Sequence, residues 1–576
     1  MSGYRLLFAI TALTLIPSIQ CLNNGFTLPA MGYSTWNDCS SFRDNGPNGW
    51  CYDSEAHVRN VTSYFISSGL KSLGYSRINI DEGWFLYRDN TTGAMVEDFS
   101  KFPSGMTGLG TWIKGQGFHY GLYSCRGTCQ CGTGTYHATG SHGFEAEDVA
   151  WMIQAGADYL KIDSCCGDQT HSVAFSDYGK FRDAMNATIG KNPVWFSVCG
   201  WNEWYSPPDP SVGYGGGGSL GNSWRIAGDG QDWKALSNCI NQQADAAVYA
   251  GPGAWPDPDL LVGPQVYVGG QSDTQARAQF TLWSIFPTNL LISQNVLQWS
   301  PYALETYSNA ELIAINQDAL MSPARRIQGS DLSFPCSNVN SVAEVVATAT
   351  CDETDPSQQW TWDTNAKTLS SNAFPNAVLT VSDCKPGDDG GVVSLWGKDT
   401  VLPCGSGNAA STWVWSEKVG SSGTITSLSS GNCLDIYNWA GPTVDTWTCN
   451  KGSNQNFTLS SKGLLRTNTN ADQPPKPSMC LKAQTNTGGD CSNIWGRVLS
   501  DGAYALAFVN NAAQNLTVTC DAACFTALNI SASVTRFKVR DLWAHQDVSV
   551  INAPFSFSSI VDGTGGSVNA YKLTPM

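Results

Sequence analysis

At 576 residues the chain is too long for one hydrophobic core, and a length prior of roughly 150 residues per domain predicts two to four domains. Only 14% of residues are charged, whereas 11% are aromatic, with 22 Trp and 58 Gly, the composition of a loop-rich globular protein with many flat apolar faces. The net charge of −16 and pI near 4.7 exclude nucleic acid and anionic membrane as partners, because an acidic surface repels both.

In chain order, a basic start followed by a short apolar run predicts a secretory signal peptide over residues 1–21. No later apolar run is long enough to span a bilayer, so the expected location is extracellular or within the secretory pathway. In such a compartment the 20 Cys read as disulfides. Local spacing predicts Cys39–Cys51, Cys336–Cys351, Cys384–Cys404, Cys433–Cys449, Cys480–Cys491 and Cys520–Cys524. Zinc held by the cluster Cys125, Cys129, Cys131, Cys165 and Cys166 is the weaker alternative, since no His stands at the usual ligand spacing. Sequons at Asn60, Asn90, Asn186, Asn456, Asn515 and Asn529 are predicted glycosylation sites.

From residue 22 to 320 short apolar strands alternate with amphipathic stretches, which predicts βα repeats. Eight strands are predicted, at 30–35, 75–80, 119–123, 159–162, 194–199, 224–228, 247–251 and 290–293, enough to close a barrel. In such a barrel the chemistry sits where strands end. Strand 159–162 delivers Asp163, with Lys161 two residues earlier on the same face, which reads as an active-site pair; the alternative from this stretch alone is a cap for the next helix. Other strand ends supply Trp36, Asp81-Glu82-Gly83-Trp84, Tyr123, Gly200-Trp201, Arg225 with Asp229, and Trp255-Pro256-Asp257-Pro258-Asp259. Flat faces for C–H stacking and carboxylates for hydroxyls are what a sugar requires. The glycine run Tyr214-Gly215-Gly216-Gly217-Gly218-Ser219 lacks the Lys-Ser/Thr of a phosphate loop and reads as a flexible loop.

The segments Met31-Gly32-Tyr33-Ser34-Thr35-Trp36-Asn37, Ile80-Asp81-Glu82-Gly83-Trp84, Tyr159-Leu160-Lys161-Ile162-Asp163, Ser223-Trp224-Arg225-Ile226-Ala227-Gly228-Asp229 and Trp255-Pro256-Asp257-Pro258-Asp259 resemble glycoside hydrolase family 27, the α-galactosidases and α-N-acetylgalactosaminidases. The resemblance implies a (β/α)8 TIM barrel and a retaining mechanism with Asp163 as nucleophile and Asp229 as acid/base. It implies that Trp36, Asp81, Tyr123, Lys161, Arg225 and Asp259 line the sugar pocket, and that Cys131 and Cys165 form a disulfide beside it. Retention needs two carboxyl groups about 5–5.5 Å apart, one ionised and one protonated. Asp229 is therefore expected to have a raised pKa through burial and nearby negative charge. No metal or organic cofactor is expected.

Two departures bear on specificity. The family usually carries Asp-Asp after the second strand; here Glu82 takes the second place, and its extra methylene pushes a carboxylate roughly 1–1.5 Å further into the pocket, favouring a pyranose without C6 such as β-L-arabinopyranose. Gly200 stands where an acidic residue often faces the C2 substituent, with Glu203 a nearby substitute; a missing contact there would also admit an N-acetyl group.

Over 329–490 helical periodicity gives way to short strands rich in Gly, Asn, Ser and Thr. Gln358-Gln359-Trp360, Ser411-Thr412-Trp413 and Gln455-Asn456-Phe457 recur roughly 45–55 residues apart, which resembles a ricin-type β-trefoil lectin with its Q-x-W signature. The third repeat offers Asp435, Trp439 and Asn450 as a candidate sugar site; as the alternative, its Q-x-W residues are core and Trp439 is merely exposed. Residues 491–576 alternate as antiparallel strands and resemble the family's C-terminal β-sandwich, which 321–328 would begin, so that the lectin is an insertion within it. The leading reading is a secreted retaining exo-glycosidase acting on terminal α-D-galactosyl residues of oligo- and polysaccharides. The alternatives are a β-L-arabinopyranosidase, an α-N-acetylgalactosaminidase, and a non-catalytic carbohydrate-binding lectin.

Overall fold

The structure, a computed structural model, describes residues 24–38, 54–131, 139–188, 193–209, 214–264, 271–332, 341–381, 391–398, 400, 409–415, 420–437, 441, 443–467, 478–485, 491–512, 515–531 and 533–576. The predicted signal peptide, Trp439, Cys39, Cys51, Cys336, Cys384 and Cys404 lie outside them.

The parallel strands are β1 (Met31–Ser34), β2 (Arg77–Asn79), β5 (His119–Cys125), β6 (Tyr159–Asp163), β7 (Trp195–Val198), β8 (Ser223–Arg225), β9 (Trp255–Asp257) and β10 (Leu290–Ile292); a hairpin of β3 (Phe85–Arg88) and β4 (Met95–Glu97) follows β2. They pair in the order β10-β1-β2-β5-β6-β7-β8-β9, and a parallel bridge between Leu261 and Ile292 joins the two ends, giving the eight-stranded TIM-type barrel. Helices cover these strands on one side and their partners fill the interior on the other, so the strands read as continuous apolar runs rather than as alternation. In β5 every residue after His119 is buried.

The seventh strand corrects the sequence expectation. Residues 247–251 form no strand; Ala247–Tyr249 is a 3-10 turn continuing the helix Trp233–Ala246, and Val248 is 53% exposed. Of the run 247–251 Ala247 alone is buried, at the end of the helix. Trp255–Asp257, fully buried, takes the barrel position instead. The glycine run before β8 packs rather than flexes at Gly217, where an added Cβ would meet the ring of Trp224 at 2.3 Å.

Antiparallel strands follow. β11 (Arg325–Gly329) pairs with Ser492–Val498, which starts the run Tyr504–Asn510, Ser567–Pro575, Arg536–Asp541 and Gln546–Asn552 of a six-stranded sheet. Alternate residues of these strands face opposite ways. Trp495, Ala507 and Val509 join the barrel core, whereas Ile494, Leu506 and Phe508 build a second core under the pair Leu516–Cys520 and Phe557–Val561. Trp233 donates from Nε1 to Asn511 Oδ1 at 2.6 Å, fastening the sheet to the barrel.

Between β11 and Ser492, strands from Ala343–Thr348 to Cys480–Thr485 form a separate sheet with its own core, the β-trefoil. Trp360, Trp413 and Phe457 occupy equivalent buried places in that core. Trp360 Nε1 donates to Leu481 O and Trp413 Nε1 to Leu379 O, each at 2.9 Å. Gln358 Oε1 accepts from Asp352 N, and Gln455 Oε1 from Asn450 N, so the repeated signature builds the core and its turns.

Cysteine connectivity is partly other than expected. Cys433–Cys449 and Cys520–Cys524 form as local spacing predicts, and Cys131–Cys165 as the resemblance implies. Cys336–Cys351 and Cys480–Cys491 do not: Cys351 bonds Cys480 across 129 residues, and Cys491 is disulfide-bonded elsewhere. The reason is pairing of the first and last trefoil strands, where Thr348 opposes Cys480. Cys129–Cys166 is a further bridge, so four of the five cysteines of the proposed zinc cluster are spent, and Cys125 is a buried free thiol. Replacing both Cys351 and Cys480 with serine should destabilise the trefoil by about 4 kcal/mol in urea unfolding, because a long closed loop no longer restricts the unfolded chain. Asn60, Asn90, Asn186, Asn515 and Asn529 are exposed; Asn456 is half-buried at the start of a strand, with its Oδ1 buried.

Candidate active site

Asp163 ends β6 and is buried at the barrel mouth. Its Oδ1 accepts from Ser164 N at 2.9 Å and its Oδ2 from the Tyr123 hydroxyl at 3.1 Å. Its main-chain oxygen accepts from Arg126 N at 2.9 Å. Burial raises its pKa above the usual carboxylate value; Lys161 opposes the rise, and Asp229 and Asp81 add to it.

Lys161, two residues earlier, points the same way because side chains two apart on a strand share a face. Its Nζ lies 2.8 Å from Asp81 Oδ2, 5.1 Å from the Tyr123 ring centroid and 5.5 Å from that of Trp36. Burial works against its charge, but the carboxylates of Asp81 and Asp163 outweigh it and hold the ammonium well above its ordinary pKa. Asp81 is held by its own backbone N–H, which donates to Thr35 Oγ1 at 2.9 Å.

Glu82 reaches into this group. Its Oε2 lies 3.2 Å from the Tyr123 hydroxyl, which also faces Asp163. With one hydrogen, that hydroxyl donates to one carboxylate at a time. The extra methylene therefore places a second carboxylate beside Asp163 rather than folding away from it.

The other side of the mouth is organised by Arg225, the last residue of β8. Its Nη2 lies 2.8 Å from Asp259 Oδ2 and 3.1 Å from Asp229 Oδ1, and it donates to Ala227 O. Asp259 has φ +115°, a region L-residues rarely adopt, and is held there by Gly230 N and Leu260 N donating to its carboxylate. Its pKa is pushed up to about 6, by burial first and with Asp229 adding, against the pull of Arg225. The expectation that Asp229 would be buried fails: its side chain is 47% exposed and ion-paired. It sits past the end of β8, where the chain opens to solvent, and the buried carboxyl of this pair is Asp259.

Gly200 has a steric reason absent from its sequence signal, for a Cβ there would meet the Tyr205 ring at 2.0 Å. Glu203 is exposed at the start of the turn Glu203–Tyr205. Sequence reasoning also passed over Arg126. It is fully buried, with Nε donating to Ser164 Oγ at 3.0 Å and Nη1 facing Asp177 Oδ2 at 3.2 Å, and it braces the loop after Asp163. Its one signal was an arginine at the end of an apolar strand.

In the trefoil, Asp435 is buried and its Oδ2 accepts from Asn454 Nδ2 and Gln455 Nε2 at 2.9 and 3.0 Å. Asn450 is exposed, and its Oδ1 accepts from Gly452 N. Among the described residues, Asn454 and Gln455 both donate to Asp435.

A closed parallel barrel whose strand ends bring together interacting carboxylates, a buried ammonium and aromatic faces is that of a glycoside hydrolase. The chain belongs to the α-galactosidase family: the family model for α-galactosidase A matches residues 28–318. Models for the α-galactosidase C-terminal β-sandwich and for the ricin-type β-trefoil lectin match 489–566 and 421–497. Curated relatives include an α-galactosidase of Oryza sativa subsp. japonica, 33% identical over 304 residues (53% of this chain, 66% of that protein). Another is α-galactosidase 2 of Arabidopsis thaliana, 33% identical over 313 residues (54% and 72%). The crystal structure of α-galactosidase I from Mortierella vinacea shares the fold, with TM-score 0.59, 19% identity and coverage of 96% of this chain and 98% of that one. No helix among the described residues is long and apolar enough to cross a membrane.

Proposed function

We propose that the protein is a secreted, retaining exo-α-galactosidase in which Asp163 attacks the anomeric carbon and Asp229 protonates the departing oxygen, then activates water. The observation that carries this reading is Asp163 buried at a strand end, in contact with Tyr123 and electrostatically coupled to Lys161 and Asp229. An attacking carboxylate needs a fixed orientation and must be ionised; Ser164 N and Tyr123 supply the first, Lys161 favours the second. An acid/base residue exchanges its proton with the leaving group and with water, and the half-exposed Asp229 is open to both. Trp36 offers a stacking face, while Asp81, Lys161, Arg225 and Asp259 meet hydroxyls.

The proposed domain division is a barrel over 22–320, a trefoil over 329–490 inserted in a β-sandwich of 321–328 and 491–576, and a signal peptide over 1–21. The pairing of β11 with Ser492–Val498 supports the insertion. The trefoil would hold the enzyme near polymeric substrate by raising its effective concentration.

A second reading, β-L-arabinopyranosidase, is favoured by one observation, Glu82 Oε2 beside the Tyr123 hydroxyl. The test compares kcat/KM for 4-nitrophenyl α-D-galactopyranoside and β-L-arabinopyranoside in wild type and Glu82→Asp. Glu82→Asp is expected to raise the galactoside-to-arabinoside ratio by about 10- to 100-fold, the usual scale for one methylene in a tight pocket. A wild type that hydrolyses only the arabinoside replaces the galactosidase reading. An unchanged ratio removes Glu82 from specificity.

A further inference from the structure

The first turn of the barrel helix Trp233–Ala246 sends one side chain into the trefoil. Lys234 is buried; its Nζ is hydrogen-bonded to Asp445 Oδ2 and lies 4.6 Å from the ring centroid of Tyr437 and 5.5 Å from that of Trp447. These three residues belong to the third repeat, the one in which the sequence suggested a sugar site. Asp445 stands directly opposite Asp435 across the pair Cys433–Ile436 and Val444–Trp447. Two carboxylates facing each other on one sheet face repel. Asp435 is relieved by the amides of Asn454 and Gln455, Asp445 by Lys234.

The socket is not saturated by the lysine. Asp445 Oδ1 is buried with no hydrogen-bond partner among the described residues. A buried carboxylate oxygen left unpaired is costly and marks a place made for more donors than Lys234 provides. Beside it opens a cavity of about 200 Å³ between barrel and trefoil, lined by Asn238, Asn241, Gln242, Asp245, Tyr437 and Thr443.

An aromatic floor beside a carboxylate suits two occupants by the same physics. An ammonium takes the ring face by cation–π attraction and the carboxylate as an ion pair. A pyranose stacks its C–H face on the ring and donates hydroxyls to the carboxylate. We propose that the third trefoil repeat is an exchange socket, taking either the Lys234 ammonium of its own barrel or a saccharide, so that the lysine competes with saccharide for Asp445, Tyr437 and Trp447. The proposal rests on the reading of the trefoil as a saccharide-binding module and names the residues and the competitor. Because the apparent affinity of a site falls by the fraction of molecules in which it is free, a resident lysine weakens saccharide binding without touching the sugar.

The test uses the full-length protein and frontal affinity on lactosyl-agarose, a β-galactoside that an α-galactosidase does not cleave. Lys234→Ala and Lys234→Met are expected to bind about tenfold more tightly than wild type, with hydrolysis of 4-nitrophenyl α-galactoside unchanged as the control for folding. The double variant Lys234→Ala/Trp447→Ala should lose that gain, which places it in the third repeat. If wild type binds as tightly as Lys234→Ala and Trp447→Ala abolishes the binding of both, the socket is open with the lysine in place; exchange is refuted while the lectin reading stands. If no variant is retained, the lectin reading of this repeat fails and exchange with it.

Discussion

Asp163→Ala is expected to lower kcat/KM for an aryl α-galactoside by about 10⁴-fold or more, since without the attacking carboxylate the covalent route closes and only binding and charge stabilisation remain. Adding azide to this variant should restore turnover, because a small anion fits the space the carboxylate vacates. The bond it makes to the anomeric carbon comes from the face opposite the leaving group, so the product is the β-galactosyl azide. NMR of that product decides the assignment; an α-azide, or activity near wild type, sinks it. The wild-type pH profile follows from the same residue. Attack needs ionised Asp163, and burial raises its pKa against the opposing pull of Lys161. Activity should therefore fall, as pH is lowered, through a pKa above that of a solvated aspartate.

Asp229→Ala is expected to show the complementary pattern, read through the leaving group. An unactivated alkyl α-galactoside needs its oxygen protonated and should lose about 10³-fold or more in kcat/KM, whereas a dinitrophenyl galactoside leaves unaided and should lose little in the first step. Hydrolysis of the glycosyl-enzyme also loses its base, so kcat for the activated substrate should fall and recover with azide. In this variant the azide displaces Asp163 from the β face, and the product is the α-azide. Opposite anomers from the two variants are what a double displacement requires. Equal losses for both leaving groups would remove Asp229 from the acid role and direct attention to Asp259, the buried carboxyl held by Arg225 with its pKa raised to about 6.

Much of the site was legible because its signals are local. Lys161 and Asp163 are two apart on one strand, and Arg225 and Asp229 straddle a strand end, so alternation and strand placement suffice to put each pair at the mouth. The trefoil core was legible for the same reason: Trp360, Trp413 and Phe457 recur roughly 45–55 residues apart, and each repeat buries its own apolar residue in the shared centre. Family likeness then linked pairs that local pattern alone could not join.

What tertiary structure decided is what depends on chain closure and on which surface meets solvent. Residues 247–251 carry a strand-like composition, yet the barrel closes through Trp255–Asp257 and the Leu261–Ile292 bridge, since only those residues lie in register with their neighbours. Cys351 bonds Cys480 rather than the nearer Cys336 because sheet pairing brings the two ends of the trefoil together. Asp229 was expected to be buried and is half-exposed, because it stands beyond the strand while Asp259 turns inward. Lys234 carries no motif at all; only the docking of a helix against a domain about 200 residues later in the chain places its ammonium over Tyr437 and Trp447. Periodicity is a property of neighbours along the chain, whereas burial, disulfide partner and ion pair are set by contacts between distant segments, and those exist only once the sheets have closed.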